Sequence, residues 1–404
     1  MLLRIAWRNI RRNARRSAIV LASIAVGTVA VILNDGFSIG MVGQIFENQI
    51  GSFVSDLQVH RAGFNDNRTI GKLVPDQAAV EEALRSTPGV KAFTRRVVTY
   101  GLLSSAMNSS GVTLVGVDPA AEQSVTTVRK WAIEGRYLGE GKHDIVIGRK
   151  LAEKLEVGPG DRVVAMASGL KGDVGAEMFR VAGIFTTVSS EFDRSTVFVP
   201  IGTAQEMLGL GGGVSEFAVL TTDRSLANGI RDALAERLGK GCEVLSYSDL
   251  LPLMIAQMQM YNESIYIVYV IIGLAMIFGI INTMLMSVFE RVREFGILMA
   301  IGMKGGRLLS MVLVEALLLG FLGALCGVAA GAAITIPLSA TGLDLARFSA
   351  SLTAFGSGSV IYPVLRPETL VEALLIIPLF TVLGAVYPAV KALRLEPVRA
   401  IRHV

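Results

Sequence analysis

"ERVREFGILMAIGMKGGR", Glu290 to Arg307, lies between two of the most apolar stretches of the chain. On one side Ile265–Phe289 holds no charged residue. On the other, Leu308–Leu338 holds a single acid, Glu315. Each is longer than the roughly 20 apolar residues that a bilayer crossing requires. Inside the insert, Phe289, Val292, Phe295, Gly296 and Met299 recur at helical spacing, with Glu290, Arg291 and Glu294 covering the opposite side. The pattern predicts an amphipathic helix tied at both ends to spanning helices. Such a helix can lie among lipid headgroups, seat its apolar stripe in a groove on a soluble partner, or be a plain connection with a solvated face. Its mixture of acids and bases argues against the first. Spacing alone leaves the other two open.

The rest of the chain agrees with a membrane protein. Of 404 residues 52% are hydrophobic and only 18% are charged, against about a quarter charged in soluble domains. Four spans are expected, at 18–39, 263–289, 308–338 and 370–390. The basic start of the first resembles a signal peptide, but its apolar run is too long and no small-residue cleavage site follows, so a retained anchor is expected. The net charge of +4 lies in short arginine runs beside apolar segments and gives no sign of a nucleic-acid partner. Cys242 and Cys326 sit in unlike surroundings, so no disulfide framework is implied and the redox compartment stays open.

Orientation follows from the basic residues beside the spans. Arg4, Arg8, Arg11, Arg12, Arg15 and Arg16 precede the first span; Arg291, Arg293, Lys304 and Arg307 fill the insert; Lys391, Arg394, Arg399 and Arg402 follow the last. The loop 339–369 holds only Arg347 and Arg366, offset by Asp344 and Glu368. Residues 1–17, 290–307 and 391–404 are therefore expected inside the cell and 40–262 outside it. The outer segment reads as a folded α+β domain. Strand-like runs begin at Ser55, Val112, Asp144, Asp161, Met178 and Ser195, bounded by Gly, Pro and Asp. Helical patterns begin at Pro75 and Asp223. A β-rich module is expected as an insertion at about 95–200.

The expected fold class is an α-helical membrane protein with four transmembrane helices, one plus three, and a large α+β extracytoplasmic domain between helices one and two. From Pro252 onward the sequence reads as one helix running from that domain into the membrane. Met254 and Met258 share a face of it, beside Ile255 and Tyr261. They suit packing against the same helix of a partner, or pliable contact with an irregular apolar ligand. An acid in the membrane costs roughly 2.5–3.5 kcal/mol at a central position. Glu315 therefore needs either Asn282 as a partner or a snorkelling position near the start of its helix.

"ERVREFGILMAIGMKGGRLLSMVLVEALLLGFLG" resembles the signature region of the FtsX-like ABC transporter permeases, the superfamily of the macrolide-efflux (MacB) and lipoprotein-release (LolC and LolE) subunits. The residues that carry the match are Glu290, Arg291, Glu294, Gly296, Gly302 and Glu315. The ending "YPAVKALRLEPVRAIR" is similar to that family's tail through Pro388, Ala389, Ala392, Pro397 and Arg402, and "IEGRYL" and "DIVIGRKLAEKLEVGPGDRV" resemble its outer β module.

The resemblance implies that the insert is a coupling helix which docks on an ATPase. The docking residues would be Glu290, Arg291, Arg293, Glu294, Phe295, Gly296, Met299 and Gly302. It implies two ATPase subunits, a second copy or paralogue of the permease, and transmission of ATP-driven work to the outside (mechanotransmission). It further implies a bacterial inner-membrane location, with the large domain periplasmic.

No G-x-x-x-x-G-K-[ST] occurs; "GMKGGRLL" and "GLKGDVGA" lack its spacing. The chain is therefore expected to bind no cofactor itself, with ATP and magnesium held by a separate ATPase. His60, His143 and His403 are scattered and show no metal spacing, and Ser104–Ser105 and Ser109–Ser110 have no adjacent histidine. No catalytic or metal residue is assigned.

Three functions are weighed. The first is extraction of lipoproteins or lipid-like molecules from the membrane. Phe37, Met41, Ile45, Met254, Met258 and Tyr261 would border an apolar cavity, and a periplasmic carrier would receive the product. The second is efflux of a drug or peptide through an adaptor and outer-membrane duct. The third is an FtsX-like regulator of a cell-wall hydrolase without transport.

Overall fold

The computed structural model describes residues 2–12, 14–139, 141–348 and 357–393. The tail positions Arg394, Pro397, Arg399, Arg402 and His403 lie outside the described residues. The chain divides into two compact units, one of residues 1–42, 257–344 and 360–404, the other of 43–256 and 345–359.

The first unit is helical: α1 (Leu2–Arg12), α2 (Ala14–Gln49), α5 (Pro252–Glu290), α6 (Val292–Ala300), α7 (Gly305–Thr341) and α8 (Pro367–Leu393). Of these, α2, α5, α7 and α8 are long and apolar enough to cross a membrane. Three of them, α2, α5 and the 37-residue α7, far exceed what a crossing needs. At 1.5 Å per residue, the 36 residues of α2 reach about 54 Å and the 39 of α5 about 58 Å, against a hydrocarbon core of about 30 Å. The expected first span, 18–39, is thus only the middle of a longer rod, and the arginine-rich flank before it is divided between the helix α1 and the first turn of α2.

The helices of this unit pack through small residues, as membrane helices do when no hydrophobic driving force separates them from lipid. Gly323, Gly327 and Gly331 of α7 face Ile24, Thr28 and Ile32 of α2. A Cβ at Gly327 would stand 2.5 Å from Thr28 Cβ and 2.8 Å from the Ala25 carbonyl, so only glycine permits the approach. Thr28, Thr335 and Thr381 donate to the carbonyls of Ile24, Gly331 and Ile377, which leaves no buried hydroxyl unpaired among them. Ile24, Ile280, Phe295, Leu308, Val312 and Ile377 belong to one buried cluster.

The second unit is α+β. Its strands are β1 (Leu57–Arg61), β2 (Val90–Ser104), β3 (Ser109–Val117), β4 (Ala132–Gly135), β5 (Asp144–Gly148), β6 (Arg162–Ser168), β7 (Val174–Thr186), β8 (Thr196–Pro200), β9 (Glu216–Thr221) and β10 (Cys242–Ser246). They form one sheet in the order β10-β1-β9-β2-β3-β8-β5-β7-β4, with β6 bridging β2 and β7.

Helices α3 (Gln77–Ser86) and α4 (Ala227–Leu238) cover the part built from both ends of the segment. Asp76 caps α3 by accepting from the Ala79 amide at 3.1 Å. Val80, Leu84, Phe217, Ile230 and Leu234 form the core there. A second core, of Leu114, Ile147, Leu151, Phe179 and Val197, fills the β-rich part. Two cores match a domain with an insertion, but the sheet is not divided. The 15-residue β2 pairs with β9 through its first half and with β3 and β6 through its second, so both parts hang on one strand.

Candidate functional site

The insert folds differently from a single amphipathic helix over 290–307. Glu290 ends α5, Arg291 caps the start of α6, and Lys304 caps α7. The return is made at Gly302, whose φ of +95° lies in the region that only glycine adopts without strain. Val292 and Phe295 are buried within this unit, 5% and 1% exposed, and Gly296 is buried with them. The middle of the apolar stripe, Val292, Phe295 and Gly296, is thus packed inside the chain. Phe289 is half exposed and has the Lys391 ammonium 5.3 Å from its ring centre. The surface that α6 does present holds Arg293, Glu294, Ile297 and Ile301, the last of them 76% exposed. Met299 is half-buried.

Arg291 does not lie on the solvated side. It is 6% exposed, and its Nη1 donates to Glu315 Oε2 at 3.0 Å, its Nε to Glu294 at 3.2 Å. Its guanidinium sits 5.1 Å from the Phe295 ring centre. Glu315 is 5% exposed. It neither snorkels to the surface nor turns to Asn282; its charge is met by Arg291, the residue that caps α6. The two outer glutamates are held from the other side. Arg16 donates to Glu290 and to Ser287, and Arg12 donates to Glu294. Partial burial alone would raise the Glu294 carboxyl, but the hydrogen bonds from Arg12 and Arg291 outweigh it and hold the group below the usual carboxylate range. The network joins α1, α2, α5, α6 and α7 at one end of the bundle.

A second buried carboxylate, Asp35 of α2, is 1% exposed. Arg366 Nη2 donates to it at 3.2 Å, and the Thr369 hydroxyl donates to it. Sequence reading left Asp35 inside the polar run "NDGF" and treated Arg366 as a loop charge offset by Glu368. Nothing local marks them as a pair, because 331 residues separate them.

The six candidate cavity residues Phe37, Met41, Ile45, Met254, Met258 and Tyr261 are all half-buried. Tyr261 packs against Val31, Ile265 and Tyr269. A small pocket in the helical unit is lined by other side chains, among them Val31, Tyr269, Thr369, Ala373 and Phe380, and at about 10 Å³ it holds no more than a water.

The outer unit carries two features that sequence reading missed. One is an apolar patch on an open sheet face. Tyr100 and Leu102 of β2 and Val174 and Met178 of β7 are 59%, 39%, 73% and 50% exposed, and Met166 of β6 lies opposite Leu102 in the ladder. The alternation in "RVVAMAS" is apolar in both phases, which was the available signal. The other is a buried charge cluster. Arg96, fully buried, bonds Glu122 at 2.6 Å and Glu216 at 2.9 Å, and His60 Nε2 stands 3.5 Å from Glu216. Burial alone would raise the Glu216 carboxyl; the facing His60 imidazole and the Arg96 charge bring it down to about 2.

The described chain is thus a set of four membrane-length helices with a long α+β segment between the first two and a short helix clamped between the second and third. The model of the MacB-like periplasmic core domain matches residues 17–237 and that of the FtsX-like permease C-terminal region matches 266–397. The chain belongs to this FtsX-like, MacB-type family of ABC transporter permeases.

Among relatives, it is 24% identical to a macrolide export ATP-binding/permease protein MacB of Bdellovibrio bacteriovorus, over 98% of this chain and 61% of that one. It is 23% identical to the lipoprotein-releasing system transmembrane protein LolC of Xylella fastidiosa, over 71% and 72%. An uncharacterised ABC transporter permease of Methanocaldococcus jannaschii is 22% identical over 99% and 97%. The chain thus spans about three fifths of the length of the macrolide-export relative. Among solved structures, the periplasmic region of MacB from Actinobacillus actinomycetemcomitans aligns with 52% of this chain and 97% of its own, at 18% identity and a TM-score of 0.37.

Proposed function

We propose that this chain is the membrane subunit of an ATP-driven transporter that works by mechanotransmission, with α6 docking on a separate ATPase that holds ATP and magnesium. Two ATPase copies and two permeases, the second a copy or a paralogue, make up the machine, with both termini cytoplasmic and the large domain periplasmic. The observation that carries this reading is the clamp on α6. A buried ion pair, Arg291–Glu315, fixes it to α7, and only the short turn 301–304 separates the two helices. A push on Arg293, Ile297 and Ile301 is therefore delivered to spanning helices and not absorbed in a loop. The helix α5, which continues for 39 residues, can carry that displacement along its length.

For the cargo we favour lipoproteins or lipid-like molecules, taken from the membrane at the half-buried apolar residues of α2 and α5 and passed to a periplasmic carrier. Support comes from the pairing of buried charge in the spans: among the described residues Asp35 and Glu315 each meet an arginine within the helical unit, which is not the unpaired charge that a path for a hydrophilic solute would offer. Efflux of a drug or peptide through an adaptor is the second reading. The match of residues 17–237 to the MacB-like core favours it, and the exposed patch around Tyr100 and Met178 would then receive the adaptor. Purification of the full complex in nanodiscs, followed by mass spectrometry of what remains bound, tests the two. Acylated protein or lipid held in proportion to the complex supports extraction. A stable adaptor assembly with no acylated species overturns it in favour of efflux.

A further inference from the structure

The helix α1 lies against the bundle by one flank only. Ala6 and Ile10 are 0% and 7% exposed, and Ile10 joins the core shared by Leu308 and Val312. The other flank is basic. Arg4, Arg8 and Arg12 follow one another at four-residue spacing, so their side chains stand on one face. Together with Ile5 and Asn9 they line an open cleft of about 480 Å³. Three like charges in such a row destabilise a helix unless something negative lies among them. Among the described residues only Arg12 of the three has a carboxylate, Glu294. Asn9 adds a second and independent sign. It is 8% exposed, it opens on the same cleft, and its Nδ2 is buried with no acceptor. An amide N–H without an acceptor costs free energy, and two neighbouring guanidinium groups call for an anion that could supply the missing oxygen. Trp7, 49% exposed, is the side chain most at home at a membrane–water interface, and α2 enters the spanning region directly after α1.

From this geometry we infer that the cleft on α1 binds the headgroup phosphate of an anionic phospholipid, with Arg4 and Arg8 meeting the charge and the Asn9 amide donating to a phosphate oxygen. Arg12 stands at the rim of the same cleft and donates to Glu294 of α6, so an occupied site draws on the same guanidinium that steadies α6. The site depends only on α1 and the bundle, and stands or falls independently of the cargo.

The test uses the full chain in detergent micelles, titrated with phosphatidylglycerol or with phosphatidylcholine of the same acyl chains, and read by native mass spectrometry. The wild type is expected to retain one phosphatidylglycerol in preference to phosphatidylcholine. Each basic residue near an anionic surface contributes about fivefold, so Arg4→Gln with Arg8→Gln should weaken that binding about 25-fold. Arg11→Gln with Arg15→Gln removes the same charge outside the cleft and should leave it within a few-fold. Asn9→Ala, which keeps every charge and serves if the double variant inserts poorly, should weaken it several-fold. Equal loss in the two arginine pairs, wild-type binding by Asn9→Ala, or no preference for phosphatidylglycerol would each overturn the site. Displacement of the lipid by millimolar inorganic phosphate would overturn the lipid as its occupant and leave a site for free phosphate.

Discussion

Arg291 Nη1 and Glu315 Oε2 stand 3.0 Å apart with both residues buried, joining the start of α6 to the first turns of α7. Removing one partner of a buried pair costs about 3–5 kcal/mol, since it strands the other charge. Arg291→Ala is therefore expected to lower the thermal midpoint of the detergent-solubilised chain sharply. Glu315→Gln should cost less, because Arg291 keeps Glu294 at 3.2 Å and the Phe295 ring. Arg291→Met with Glu315→Leu should recover much of the stability, apolar replacement of buried pairs being close to neutral. If the double variant is as unstable as Arg291→Ala, the pair is not the cause.

The pair also shows where the sequence is legible and where it is not. Spans, their number and most outer strands follow from patterns that are local: "DIVIG" is β5 to the residue. The insert's helix was legible too, yet the face it buries was not. Arg291 reads as solvated until Glu315, 24 residues on, is seen to fold back on it. Asp35 and Arg366 pose the same difficulty at longer range. Periodicity reports that one face of a helix is apolar, but not whether the chain itself or a partner covers it. Spacing therefore leaves the stripe of Val292 and Phe295 open between a docking face and a face covered by the chain itself. The spacing of Gly323, Gly327 and Gly331 was open to reading, while their partner helix was not.

Gly302 has open space around its Cα but a φ of +95°. Gly302→Ala therefore meets no clash and only backbone strain, about 1–3 kcal/mol. The return from α6 to α7 should relax to a different angle. In reconstituted transport assays, ATP hydrolysis should persist while transport falls. Equal loss of both would point to misfolding.

Asp35 differs from Glu315 in that its partner Arg366 is 41% exposed. Taking away the acid leaves a guanidinium that water can still reach. Asp35→Asn is expected to cost about 1–2 kcal/mol, the loss of charge-assisted hydrogen bonds, well below the penalty for Arg291→Ala. Thermal midpoints of the two variants in the same detergent decide the ranking; an equal or larger drop for Asp35→Asn refutes it.

The outer unit holds two carboxyls whose shifts oppose one another. Glu216 is depressed from 4.5 to about 2. The stability it adds is complete above its unfolded value and is lost as pH falls from about 4.5 towards 2. Asp193 is raised by burial, against hydrogen bonds from Thr187, from 3.8 to about 6. The unfolded chain releases that proton more readily, so folding gains as pH falls from about 6 to 4. The unfolding midpoint should rise slightly from pH 7 to 5 and drop steeply below about 4. Trp131, stacked 4.8 Å from Phe185, reports it by fluorescence in a Trp7→Phe background. Asp193→Asn should flatten the upper slope and Glu216→Gln the lower; unchanged slopes would disprove the assignments.

The docking surface makes the sharpest prediction about function. Because Val292 and Phe295 are spent inside the unit, only the exposed side of α6 can meet an ATPase. Ile297 and Ile301 are 48% and 76% exposed, so Ile297→Ser with Ile301→Asp should shift stability by less than about 0.5 kcal/mol each. Removing two apolar contacts and adding a charge at the centre of an interface costs at least about 2 kcal/mol of binding, a loss of roughly thirtyfold in capture of the ATPase. Glu290→Lys with Glu294→Lys breaks the contacts to Arg16 and Arg12. Each pair has a half-exposed glutamate, so each is worth about 0.2–1 kcal/mol, and the variant should insert normally but uncouple hydrolysis from transport. Arg12→Glu and Arg16→Glu added to it restore the pairs with α1 and α2 but not the contact of position 294 with Arg291, and do not restore the surface. If the fourfold variant couples again, the glutamates act by holding α1 and α2 to α6; if it stays uncoupled, their contacts to the ATPase or to Arg291 carry the coupling.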